Sequence, residues 1–242
     1  MRMLDIKWEY IGVSEVSNSS NVPNEIIETI ESSPDLHKLH LRLSSHKRAF
    51  DKLWRPSELF RQLKNPLTHL RQLSIGGSYA VDWETFFQDQ TQYPLRCFFE
   101  RHPLLHTIEF QGHMDVVFEP NLAAHLFPSV KSFVGPIALC AAIVASPLAE
   151  QLERLNVVYT WKDPSEPHKH TLNTLTGVIK PLPKLQDFSV TMKMYPLYPD
   201  LDPPMLRTND LDTLFSAMPN VQSILITVPV EIVSRTIYPP YP

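Results

Sequence analysis

Six glycines and two cysteines are all that 242 residues contain, and each scarcity excludes something. Loops that turn on left-handed glycine must be few. The glycine-rich phosphate turn of a doubly wound sheet is missing, and two cysteines make no disulfide framework. No apolar run approaches the ~18 residues of a membrane span. Residues 1–10 mix acids with apolar positions, where a secretory leader would have a basic cap and an apolar stretch. Neither sign of charge dominates, since 22 basic and 26 acidic side chains leave a formal charge of -4. With 43% hydrophobic and 20% charged residues the chain has the composition of a folded body. Cytoplasm or nucleus is the expected location, with Cys97 and Cys140 as buried thiols. What the chain has in excess is proline, 23 of them, and proline is expected to punctuate its turns.

An internal repeat orders the rest. An apolar residue is followed three and five positions later by two more: Met1, Leu4, Ile6; Leu36, Leu39, Leu41; Leu70, Leu73, Ile75; Leu105, Ile108, Phe110; Leu152, Leu155, Val157; Leu185, Phe188, Val190; and Val221, Ile224, Ile226. A degenerate copy, Val130 and Phe133 with Gly135 in the last slot, lies between the fourth and fifth. Successive starts are 35, 34, 35, 25, 22, 33 and 36 residues apart. A proline stands shortly before most copies, at Pro34, Pro66, Pro103, Pro128, Pro147, Pro183 and Pro219. Ahead of each proline the apolar spacing predicts a short helix, over residues 23–30, 57–63, 94–101, 121–127, 137–145, 171–179 and 209–218.

The last two residues of a triplet are two apart and so share one face of a strand, while the first closes the strand entrance. Helices of two or three turns cannot bury their apolar stripes alone, so each must return the chain and cover the inward face of its own strand. The expected fold is α/β: a leucine-rich repeat solenoid, a curved parallel sheet with short helices on its outer side and irregular long repeats. One domain over residues 1–228 is expected, truncated at its N-terminus, followed by a proline-rich tail over residues 229–242. Both ends read as unfinished, which implies a fragment of a longer protein or a tail that doubles back as a cap through Ile232, Val233, Ile237 and Tyr238. In the apolar stretch 136–147 the repeat is shortest, and it reads either as a kink or as a regular unit with a poorly written strand.

Residues alternating with the buried pair form an exposed ladder. The candidate protein-binding set is Lys38, His40 and Arg42; Gln72 and Ser74; Thr107, Glu109 and Gln111; Arg154 and Asn156; and Asp187, Ser189 and Thr191. Met3, Asp5 and Lys7 precede it, and Ser223 and Thr227 follow. The ladder is polar, mixed in sign and without an aromatic row for stacking sugars or bases. Residues 36–75 hold nine basic and two acidic side chains, a patch that gives phosphate or nucleic-acid binding as an alternative function, although nucleic acid is not the expected partner.

No HExxH, GxSxG, Walker or dinucleotide motif is present. The pairs His37 with His40 and His102 with His106 lack further ligands at metal-binding spacing, and His168 and His170 beside Asp163 and Glu166 read as a solvent-facing loop. Asp82, Glu84 and Asp89 near Trp83, Phe86 and Phe87 read as a helix with one acidic and one aromatic face. No catalytic residue, cofactor or metal is expected, and the chain is expected to be a monomer.

The triplets Leu36-Leu39-Leu41, Leu70-Leu73-Ile75 and Leu152-Leu155-Val157, with Pro34, Pro66 and Pro147 ahead of them and the segment at residues 102–110, carry a resemblance. The chain resembles the divergent leucine-rich repeat region of F-box-like proteins of mushroom-forming fungi, over roughly residues 1–228. In that family an N-terminal F-box binds the adaptor of a cullin-type ubiquitin ligase and the repeats present substrate. Here Met1 opens on a repeat strand with no F-box-like helices before it, so the resemblance implies the recognition half: a noncatalytic surface for an unidentified protein. The competing readings are a fragment or decayed gene product without function of its own, and an enzyme.

Overall fold

Eight short strands follow one another across a single parallel sheet, in the order in which they occur in the chain. The computed structural model describes residues 2–10, 24–45, 56–77, 94–111, 119–161, 172–194 and 208–227. The strands are β1 (Met3–Tyr10), β2 (Lys38–Ser45), β3 (Gln72–Gly77), β4 (Thr107–Gln111), β5 (Ser132–Pro136), β6 (Arg154–Trp161), β7 (Asp187–Met194) and β8 (Ser223–Thr227). Among the described residues the helices are α1 (Asn24–Glu31), α2 (Pro56–Gln62), α3 (Pro94–Arg101), α4 (Pro120–Leu126), α5 (Ile137–Ala145), α6 (Leu172–Thr176) and α7 (Thr208–Ala217). The result is an α/β fold consistent with a curved solenoid, in which short helices back an eight-stranded parallel sheet. Among the described residues no helix is long and apolar enough to cross a membrane. The proline-rich tail and the histidines His168 and His170 lie outside the described residues, as do the acidic and aromatic residues around Trp83.

The second triplet residues form one continuous row, Leu4, Leu39, Leu73, Ile108, Phe133, Leu155, Phe188 and Ile224, each paired with the next. The third residues pair alongside, Ile6 with Leu41 and Ile75 with Phe110, and on to Val157, Val190 and Ile226. Gly135 holds the third place in β5. Its missing side chain is not a void, because a Cβ there would stand 2.8 Å from Cε1 of Phe133, whose ring fills the space. The stretch at residues 136–147 is therefore a regular unit, with register unbroken from β5 to β6.

Each unit also repeats one backbone device at its strand entrance. The Arg2 carbonyl accepts the N–H groups of both His37 and Lys38, at 3.0 and 3.1 Å, and the His37 carbonyl accepts those of Arg71 and Gln72. The same forked bond recurs from Arg71 to β4, His106 to β5, Lys131 to β6, Glu153 to β7 and Gln186 to β8. It satisfies backbone groups that would be orphaned where helix gives way to strand.

The prolines do their work in the turn just before the strand and do not simply end a helix. In five units proline takes the second position of a β-turn, the place its fixed φ suits. Leu36 N–H donates to Ser33 O across Pro34, Leu105 to His102 across Pro103, Val130 to Phe127 across Pro128, Leu185 to Leu182 across Pro183, and Val221 to Met218 across Pro219. Two expected punctuation prolines differ. In the third unit the turn runs from Leu67 to Leu70 with Thr68 in the proline place, so Pro66 lies ahead of the turn. Pro147 opens a 3-10 turn, Pro147–Glu150, where Ser146 Oγ accepts the Leu148 N–H at 3.1 Å and donates to Ile143 O at 2.7 Å. Helix bounds agree with the apolar spacing to within about two residues, except for α6, which stops at Thr176, just ahead of Gly177.

From α2 onward successive helices lie side by side, and strand and helix faces merge into one core. α5 is apolar on every side because it is enclosed, with Leu139, Cys140, Ala142, Ile143 and Val144 all buried. A chain of aromatic contacts threads the middle units: Phe60 meets Phe98 edge-on at 4.6 Å, Phe99 meets Phe127 at 4.7 Å, and Phe110 meets Phe133 at 6.2 Å. The two thiols part company. Cys140 is buried and donates to Gly135 O, whereas Cys97 is exposed on α3, against expectation. It falls on the far side of the helix whose core stripe is Leu95, Phe98 and Phe99.

Candidate protein-binding surface

Parallel pairing turns the alternating polar residues into rows on the sheet face opposite the helices. Lys38, Gln72 and Thr107 stand next to one another, and the row continues through Ser132, Arg154 and Asp187 to Ser223. A second row runs Asp5, His40, Ser74, Glu109, Val134, Asn156, Ser189 and Leu225. A third begins Lys7, Arg42, Gly76 and Gln111, and resumes where Pro136 pairs with Val158 and Val158 with Thr191. All thirteen candidate residues thus lie on one face. Lys38, Arg42 and Arg154 are exposed, and the other ten are half-buried by their neighbours in the rows.

Neighbours hold one another in place across the strands. Arg154 Nε lies 2.9 Å from Asp187 Oδ2 and Arg42 Nη2 lies 3.8 Å from Asp5 Oδ2. Thr191 Oγ1 donates diagonally to Asn156 Oδ1 at 3.3 Å, and the Gln111 amide donates to the Glu109 carboxylate within β4. Exposed ion pairs of this kind add little stability, but they pair opposite charges across neighbouring strands of the face. The third row is closed at Gly76 and again where Pro136 and Val158 are buried.

Sequence alternation missed four kinds of member. Ser132 and Val134 belong to the face, but β5 was the degenerate copy. Gly76 and Val158 occupy outward places without a polar side chain. Leu225, 59% exposed, is an apolar residue in a polar row. The fourth kind is a whole extra row: the residues just before each strand, Arg2, His37, Arg71, His106, Lys131, Glu153, Gln186 and Gln222, are tied in register by the forked carbonyl bonds. They precede the strand alternation, and their only sequence signal is their fixed place two residues before the second apolar position.

The basic residues of 36–75 do not share one surface. Lys38, Arg42 and Arg71 belong to the sheet, Arg61 and Lys64 lie at the end of α2, and Lys47, Arg48, Lys52 and Arg55 lie outside the described residues.

The histidine pairs divide as well. His37 is exposed and stacks on His69 with ring centroids 5.8 Å apart. His102 is buried and structural: its Nε2 accepts the Leu67 N–H at 2.9 Å, so Nδ1 carries the proton and donates to Phe98 O at 2.5 Å. The ring stacks on Phe98 at 4.1 Å. Burial, reinforced by the Arg101 charge, holds its pKa below the usual histidine value despite the opposing bond to Phe98. Among the described residues no three metal-ligating side chains come together. No family model matches the chain, and no curated protein matches it.

Proposed function

We propose that this protein is a noncatalytic protein-recognition scaffold of the leucine-rich repeat type, whose working surface is the helix-free face of the sheet. The observation that carries the reading is the row structure of that face, with Lys38, Gln72, Thr107, Ser132, Arg154 and Asp187 side by side. A contiguous polar surface on a rigid sheet suits recognition of an extended partner, since its charges are fixed before the partner arrives. The resemblance to the repeat region of F-box-like proteins extends the reading to substrate recognition in a ubiquitin ligase.

The test is affinity capture from the cells that make the protein, comparing the native chain with a Ser74→Trp, Asn156→Trp variant. Both positions belong to the second row and lie outside the buried core. Loss of a captured partner by the variant, with thermal unfolding unchanged, supports the reading. Identical partner sets overturn it.

A further inference from the structure

Five successive strands, β1 to β5, begin beside a basic residue or a histidine: Arg2, His37, Arg71, His106 and Lys131. At about 4.8 Å between strands the row is roughly 19 Å long. It carries no carboxylate. The next place belongs to Glu153, which takes Lys131 Nζ at 2.9 Å, and Gln186 and Gln222 beyond it are neutral. The row is therefore polarised, with cations and histidines over β1–β5 and none over β6–β8. Lys38 adds a charge beside His37, and His69 backs it by stacking. Besides Glu153, an acid at the same rim is Asp35, exposed in the turn before Leu36.

Two features make this more than a scatter of surface charge. The forked carbonyl bonds hold the five residues in fixed register, so their spacing does not depend on side-chain chance. Arg71 is oriented in addition by its own loop, with Nη1 donating to Thr68 O and Leu70 O, both at 3.0 Å. A guanidinium placed in this way loses less freedom on meeting a carboxylate. Lining up cations also raises the local potential, which a partner of opposite charge would relieve.

We infer that this row binds an extended acidic segment of a protein partner, laid across the entrances of β1 to β5. The inference rests on the recognition reading above and names the chemistry of one edge of the same face. Some six residues of extended chain span the row at about 3.3 Å each. Nucleic acid fits less well, because the only rings in this row are the small imidazoles of His37 and His106, the first already stacked on His69, and the adjoining Met3, Lys38, Gln72, Thr107 and Ser132 offer no Phe, Tyr or Trp platform for a base.

The experiment titrates fluorescein-labelled octaglutamate, and separately an eight-nucleotide oligouridylate, into the full chain by anisotropy at about 50 and about 200 mM salt. Arg71→Gln with Lys131→Gln is the row variant. Arg2→Gln with Lys131→Gln, at two exposed positions, repeats the test should the first fail to fold. Octaglutamate is expected to bind, to weaken about tenfold or more at the higher salt, and to weaken about tenfold in either row variant. Octaglutamate that does not bind at low salt, that binds the row variants equally, or that binds more weakly than oligouridylate overturns the inference. Partner capture separates the two failures. If the Ser74→Trp, Asn156→Trp chain loses its partner while octaglutamate ignores the row variants, the row is overturned and the recognition reading stands. Capture unaffected by either variant overturns the reading, and the inference with it.

Discussion

Phe133 of β5 and Ile224 of β8 occupy the same row of the sheet, yet the first is 0% exposed and the second 43%. Both satisfy the same apolar rule in the sequence. The difference lies in their neighbours: β5 has a strand on each side, with α5 against it and the Phe127 ring beside that of Phe133, whereas β8 has a described strand only on the β7 side. Ile226 beside it is 38% exposed, while Val190, its partner in β7, is 2%. In a repeat fold an inward residue contributes through the unit that follows it, so identical motifs differ in worth according to position.

The sharpest way to break the comparison is to truncate both residues. Phe133→Ala should cost about 3–5 kcal/mol, and Ile224→Ala about 1 kcal/mol or less in proportion to its remaining exposure. Urea midpoints measure both, and equal losses would show that β8 is covered in solution.

His102 sharpens it next, since this buried link ties together two of the middle units, from the turn after α3 to the turn before β3. Its folded pKa is depressed, so the unfolded chain takes up the proton first as pH falls. The contribution is present above about 6.5, the ordinary histidine value, and declines below it as the pH approaches the folded pKa. A lower urea midpoint at pH 5 than at pH 7.5 is expected, and His102→Gln should shrink that difference. A full-sized difference in the variant would assign the acid sensitivity to other groups. Removing the ring altogether leaves the Leu67 N–H and the Phe98 carbonyl without partners, and His102→Ala should cost about 2–3 kcal/mol at neutral pH.

The glycines give a smaller contrast of the same kind. Gly135→Ala pushes a methyl into the Phe133 ring and should cost about 1–3 kcal/mol. Gly76→Ala, whose Cβ would meet nothing nearer than Gln111 Oε1 at 3.7 Å, should stay within about 0.5 kcal/mol. Chemical denaturation of the two variants is the check, and equal costs would contradict the placement of the Phe133 ring. Smallest of all, a double-mutant cycle on Arg154 and Asp187 should return about 0.5 kcal/mol or less, because their side chains are 70% and 47% exposed. A coupling several times larger would mean that the outer face is drier than its exposure implies.

Most of the architecture was legible in the sequence because the two periods involved are rigid. Two inward residues spaced by two fix a strand and its register, and the second residue of every copy pairs with that of the next as the rule requires. What escaped was local and three-dimensional. Proline in sequence marks a break without saying which turn position it fills, so Pro66 and Pro147 were grouped with five prolines that act differently. Cys97 looked buried beside Phe98 and Phe99 because adjacency in sequence hides the helical face. The thirteen outward residues followed from alternation, but the row from Arg2 to Lys131 did not, since those residues are positioned by backbone bonds at the entrance and not by strand pleating.

The forked carbonyl has one more consequence. It sets the phase of each strand at its entrance, by a bond to the residue at the entrance of the strand before it, whatever the number of residues between the two entrances. Units as unequal as those beginning at Val130 and Leu185, 22 and 36 residues long, therefore arrive in phase, and extra residues inserted between the end of one strand and the next helix should leave the outer rows aligned.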